Sequence, residues 1–209
     1  MLGADRDAGT GGQEAIIVGR GPLPPVSARV VGYAAAGWCL AFAGVSAWQV
    51  AAGPPQRYAA DAAGLAIMSV LVGVLKLAGA AVALAAVLVR PGRPRRLLRL
   101  LGVALWGAFG VLSLYLAGNL AITIGTVGGL LVPSAAWTAA GGVTPKATGY
   151  VLFFLAGAAL FGTLAVWFHR RHRLRWTSAV AGLAGAPLLL GLLLTAAPAL
   201  LGRWGLLPT

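Results

Sequence analysis

Residues 64–89 read GLAIMSVLVGVLKLAGAAVALAAVLV: an apolar run with one charged residue, Lys76, and no acid. A helix built from such a run is greasy all round, so it needs either a large protein interior or lipid. Runs of about 18 or more apolar residues read as membrane spans. Five fit this chain, at about 28–52, 63–89, 98–123, 149–168 and 176–200. At ~1.5 Å per residue each can cross a ~30 Å hydrocarbon core. Helices are required because an unpaired backbone group in lipid costs several kcal/mol. The expected fold is therefore all-α, a polytopic transmembrane helical bundle. Residues 1–27 read as a disordered cytoplasmic tail, 28–200 as the membrane domain and 201–209 as a short C-terminal tail.

Charge supports lipid over a large soluble core. The chain has 209 residues, 59% hydrophobic and 10% charged, where soluble domains carry about 25% charged residues. A net charge of +12 invites a nucleic-acid partner. The basic residues argue against one, because they gather in two short clusters between apolar runs, RPGRPRRLLR (90–99) and HRRHRLR (169–175). That is the pattern of cytoplasmic loops. Cys39 is the only cysteine, which excludes an intrachain disulfide and dithiol redox chemistry.

The positive-inside rule gives one orientation. Arg6, Arg20 and Arg29, the five arginines of 90–99 and the four of 170–175 fall on one side, against Arg57, Lys146 and Arg203 on the other. The N-terminus is then cytoplasmic and the C-terminus outside, in a cell (cytoplasmic) membrane. Tyr33, Trp167 and Trp176 mark the inner boundary; Trp48, Tyr58, Trp137, Tyr150 and Trp204 mark the outer one. Arg90, Arg93, Arg95, Arg96, Arg170, Arg171 and Arg173 are expected to contact anionic lipid headgroups.

The third run continues into a glycine-rich segment, TIGTVGGLLVPSAAWTAAGG (123–142). It reads as an outer cap on or in the membrane surface, with extension of the helix as the alternative. Pro187 should free a carbonyl near Leu183. Small-xxx-small pairs at Gly37/Ala41, Ser69/Gly73, Gly79/Ala83, Gly125/Gly129 and Ala158/Gly162 fit close helix packing.

A central lysine costs roughly 2.5–3.5 kcal/mol on the insertion scale. The thirteen Leu, Ile and Val residues of 64–89 contribute about −6 kcal/mol together, so the helix still inserts. At about 100° per residue, Lys76 shares its face with Ser69, Val72, Gly73, Gly79, Ala80 and Ala83. Ile67, Val70, Leu71, Val74 and Val82 lie opposite. Small residues usually face other helices, so Lys76 should point into the bundle.

Its depth is about 21 Å from the Arg90 level. Ser113 and Tyr115 on the third run reach about 21 and 24 Å. Asn119 sits one turn further out, and Ser46 comes to a similar depth from the first run. Lys76, Tyr115, Asn119, Ser113 and Ser46 form the candidate intramembrane polar site. Asp61 lies some 22 Å along the same helix, too far for a direct pair. Neutralising the amine from a pKa of ~10.4 costs about 4.6 kcal/mol, close to the insertion penalty, so the charge state stays open. The lysine can lose its proton, hydrogen-bond with Tyr115, serine hydroxyls or carbonyls, or bind an anionic ligand or lipid headgroup.

His169 and His172 have helical spacing for a metal, but the four arginines around them repel a cation. No nucleophile elbow, phosphate loop or zinc-protease motif occurs, and four acidic residues leave little room for paired-carboxylate chemistry. No motif calls for a cofactor.

Three stretches carry a family likeness: GYAAAGWCLAFAGVSAWQV (32–50), GVLKLAGAAVALAAVLVRP (73–91) and RRLLRLLGVALWGAFGVLSLY (95–115). They resemble a family of small bacterial integral membrane proteins, common in actinobacteria and catalogued as a domain of unknown function. The likeness covers roughly residues 30–173. The Gly-Val-Leu-Lys stretch, the arginine-rich loop and the Trp-to-Tyr helix correspond to Lys76, Arg90 to Arg96, Trp106 and Tyr115. The resemblance implies a four-helix core with no established activity. The family's acidic residue at the start of the fourth helix is missing from TPKATGYVLFFLAGAALFG, and the fifth helix is an addition.

The expected role is a non-enzymatic membrane component that binds a lipid, an amphiphile or a partner membrane protein. Two alternatives stand beside it: a small transporter or permeation pathway using Lys76 and Tyr115, and a membrane-embedded enzyme.

Overall fold

A computed structural model describes residues 26–52, 62–90, 92–130 and 145–203. The other residues include the 1–25 part of the expected tail, most of the expected outer cap, Tyr58, Asp61, Trp137 and Trp204. Those expectations lie outside the described residues. Five helices make up the described chain: α1 (Val26–Ala52), α2 (Ala62–Leu88), α3 (Arg95–Val127), α4 (Pro145–Arg171) and α5 (Trp176–Arg203). No strand occurs among the described residues. The first four carry stretches long and apolar enough to cross a membrane; α5 contributes a shorter apolar stretch, Trp176–Leu192. The chain is a multi-pass helical membrane protein.

Helix ends follow local chemistry. Pro94 caps α3 at φ −54°, a value that the pyrrolidine ring sets in advance. Pro145 opens α4, where its missing N–H has no helical partner to lose. In the turn before α3, Gly92 takes φ +89°, which side chains disfavour. α3 ends in a Schellman motif: Leu130 N–H donates to Gly125 O and Gly129 N–H to Thr126 O, with Gly129 at φ +73°. Helix extension therefore accounts for 123–127 of the glycine-rich segment. α4 ends the same way, with Leu174 N–H on His169 O and Arg173 N–H on Arg170 O. Here the left-handed residue is Arg173, at φ 46°. α5 runs through Pro187 uninterrupted.

α1 and α2 form an antiparallel hairpin, as Gly32 meets Val87, Cys39 meets Gly79 and Ser46 meets Gly73. α4 packs against α3 through Gly162 and Phe109. α3 and α5 lie side by side and parallel. A Cβ at Gly182 would stand 2.5 Å from the Val103 carbonyl oxygen and 2.6 Å from Trp106 Cβ. Only the hydrogen side chain permits that approach. The pairing of Gly182 and Ala186 with Gly107 and Gly110 was not among the expected small-residue pairs. Gly37 and Ala41 were, yet both are exposed and nothing lies within 4 Å of a Cβ built at Gly37.

The order around the bundle positions the site. α1 packs on α2 and α4, and α4 on α3; α2 and α3 meet only sparsely, and among the described residues α2 and α5 do not touch. Phe161, Phe168, Leu105 and Leu164 fill the centre. Large apolar side chains such as Val70, Val74, Leu100, Leu152 and Leu188 point outward, as lipid-facing residues do and as a water-soluble surface does not. Tyr33, Trp48, Tyr150 and Trp176 are also exposed.

Candidate functional site

Lys76 faces inward on α2. It is half-buried, its neighbours Ala80 and Ala83 are buried, and Val70 and Val74 are exposed. Its ammonium meets ring faces. Nζ lies 4.4 Å from the Trp38 centroid, 4.9 Å from Phe42 and 5.5 Å from Phe154. Trp38 and Phe42 are one turn apart on α1, so both project from one face. Phe154 comes from α4.

The cage is built tightly. Trp38 stacks on Phe153 at 4.7 Å and on Phe42 at 6.1 Å. Its indole N–H donates to the Phe153 carbonyl at 3.1 Å. Gly157 makes room for it, since a Cβ there would stand 2.5 Å from Trp38 Cζ2. Each cation–π contact in a desolvated setting is worth about 0.5–2 kcal/mol. Three together match the roughly 2.5–3.5 kcal/mol insertion cost of a central lysine. All four acidic residues, Asp5, Asp7, Glu14 and Asp61, lie outside the described residues. Within the described bundle, the Lys76 amino group meets aromatic ring faces and no carboxylate.

The other residues of the expected polar site are spread around this cage. Tyr115 packs on Phe154 at 4.3 Å between centroids, so it backs the cage through its ring. Asn119 donates to the Tyr115 carbonyl at 2.8 Å, and Thr123 Oγ1 donates to the Asn119 carbonyl at 2.8 Å. Both bonds stay within α3. Ser46 is buried opposite Gly73 on the α1–α2 seam. Ser113 is half-buried on α3. Sequence reading missed the cage itself. Its signal was the Trp38/Phe42 pair at helical spacing and the double Phe153-Phe154 at similar depth.

Lys76 also borders a cavity of about 430 Å³. Its walls are Leu75, Gly79 and Val82 of α2, Val103 to Leu112 of α3 and Ala181 to Leu189 of α5; Trp38, Cys39 and Phe161 close its back. Among the described residues, Lys76 is the one charged residue in the lining. The cavity exists because α2 leans on α1 while α5 leans on α3. It opens between α2 and α5. Along α3 it extends about 13 Å, from the depth of Lys76 toward the arginine-rich end.

At that end, His169 is buried against Trp176, 4.4 Å between centroids, and edge-on to Trp106. Neither His169 nitrogen, nor Trp106 Nε1, has a hydrogen-bond partner among the described residues. His172 packs at a tilt on Phe168, 4.4 Å between centroids. The two histidine rings thus take different partners. Arg90, Arg93, Arg95 and Arg96 are exposed around the α2–α3 turn, as are Arg170 in the last turn of α4 and Arg173 just past it; Arg171 is half-buried. No family model, curated protein or solved structure matches the chain.

Proposed function

We propose that this protein is a non-enzymatic membrane component that holds a single-chain anionic amphiphile in the α2–α3–α5 cavity. The supporting observation is the cavity lining: apolar throughout, with a lone cation at one end. Sites of ~300–1,000 Å³ with mostly apolar walls and few polar groups suit small ligands. The aromatic cage favours a charged Lys76, because ring faces stabilise the ammonium and not the neutral amine. With the arginine-rich turns cytoplasmic, the headgroup sits in the outer half of the bilayer and the tail runs inward, as an outer-leaflet chain does. The transporter reading has less support, because Tyr115 does not line this cavity. We further propose that the chain is related to the actinobacterial family it resembles. Its Lys, arginine-loop and Trp-to-Tyr features fall on α2, the turn and α3.

The test compares dodecanoate with dodecanol on the full chain in detergent, by ligand-dependent thermal shift. The acid is expected to stabilise more than the alcohol. At 100-fold excess over Kd the gain is about 2.7 kcal/mol. Lys76→Gln should erase the difference. Gly185→Leu should fill the cavity without a clash, since nothing lies within 4 Å of a Cβ there, and abolish both responses. Equal shifts from acid and alcohol, or a response that survives the filled cavity, would defeat the proposal.

A further inference from the structure

The cavity beside Lys76 has a floor. On each of its three walls the last lining residue lies short of the arginine-side helix end: Val82 on α2, Val103 on α3 and Ala181 on α5. Those helices end on that side at Leu88, Arg95 and Trp176, about 9, 12 and 8 Å further on. Side chains fill the space between. A Cβ at Gly182 would stand 2.5 Å from the Val103 carbonyl oxygen, and one at Gly102 would stand 2.7 Å from Leu174 Cδ1. Val89, Leu98, Leu101 and Leu174 pack against the buried core and line no part of the cavity. Both turns lie at this end too, so α2 is tied to α3 and α4 to α5 just beyond the floor.

Lys76 marks the other end, held under the Trp38 ring at 4.4 Å. Between cation and floor the walls run about 10 Å on α2 (Leu75 to Val82), about 13 Å on α3 and about 12 Å on α5. An extended carbon chain with ~1.5 Å bonds advances ~1.3 Å per carbon, so about ten carbons fit end to end. The volume of about 430 Å³ holds about fourteen groups the size of a water molecule, at ~30 Å³ each. A tail that fills one leaflet is longer, since it covers half of the ~30 Å hydrocarbon core.

Chain length then matters in both directions. A short tail leaves part of the cavity empty, and the cost grows with the empty volume. A long tail cannot pass the floor. Its surplus carbons leave through the gap between α2 and α5, where they meet lipid again and gain nothing.

We infer, on the reading that an anionic amphiphile occupies this cavity, that the protein selects its ligand by length. The ligand is a monoanion with one straight tail of about ten to fourteen carbons, and Val82, Val103 and Ala181 are the stop that sets the limit.

The test presents the full chain in detergent with an equimolar mixture of straight-chain carboxylates, odd and even, from octanoate to octadecanoate. Native mass spectrometry reads which are retained. Retention should rise about threefold per methylene as the void fills, reach a maximum between decanoate and tetradecanoate, and rise no further. Ala181→Leu raises the floor and should move the maximum to shorter tails. Val82→Ala lowers it and should move the maximum to longer ones. The two variants act in opposite directions, and a ligand-free melting curve checks each fold, so one lost to misfolding leaves the other to decide. Lys76→Gln should lower retention at every length and leave the maximum in place. Retention that climbs steadily to octadecanoate, or a maximum that a folded floor variant leaves unmoved, would overturn the length limit while leaving the cavity occupied. Carboxylates retained no better than the matching alcohols would overturn the occupancy itself, and the limit with it.

Discussion

Lys76 Nζ sits 4.4 Å above the Trp38 ring, and that indole is pinned by its own hydrogen bond to the Phe153 carbonyl. The Lys76 amino group is thereby held by a ring that cannot easily turn away. Helix α1 supplies the ring, α4 fixes it and α2 supplies the lysine, so one cluster ties three helices together.

The pair should behave as a coupled unit. Trp38→Leu and Lys76→Met, made singly and together, are expected to show a coupling of about 1–2 kcal/mol, read from unfolding in detergent micelles. Strict additivity would mean that the contact carries no energy.

The α3–α5 seam should be intolerant of volume. Gly182→Leu drives a side chain into the Val103 carbonyl and the Trp106 stem. A loss of about 3 kcal/mol or detachment of α5 is expected, at the upper end of overpacking costs. Gly37→Leu, with open space around it, should stay within about 0.5 kcal/mol of the parent. Melting curves of the two variants side by side check this.

Arg173 holds a left-handed conformation that glycine adopts without strain. Arg173→Gly is expected to stabilise the α4–α5 hairpin by about 1 kcal/mol. An unchanged or lower unfolding midpoint would contradict that.

His172 lies just past α4. Burial, and secondly the neighbouring Arg171 charge, lower its pKa below the ordinary 6.5. The folded chain therefore binds fewer protons here than the unfolded chain between the two pKa values. Stability from this group is full above about pH 6.5 and declines as pH falls through that window. Its Nε2 is buried and makes no hydrogen bond among the described residues. His172→Phe should flatten the slope of melting temperature against pH between about 7 and 5, and a slope left intact would assign the effect to another group.

The five helices were legible in the chain because hydropathy sums over some twenty residues, and single exceptions such as Lys76 do not change the sum. Its inward direction was legible too. The small residues Ala80 and Ala83 share its face and are buried, while Val70 and Val74 opposite are exposed. Both facts follow from composition and from a 100° step.

The partner of Lys76 was not legible. Depth along the helix placed Ser113 and Tyr115 near its level and Asn119 one turn further out, but depth says nothing about which helices are neighbours. Close glycine packing draws α5 onto α3, and α2 rests on α1. The lysine thus meets Trp38 and Phe42, with Phe154 of α4 closing the cage. The sequence by itself determined that the chain forms apolar helices with a buried-side lysine, since burial of backbone polar groups in lipid permits little else. Tertiary structure alone decided the cage and the cavity, because both depend on lateral helix order, which is set by short-range steric fit between backbones and has no period in the chain to reveal it.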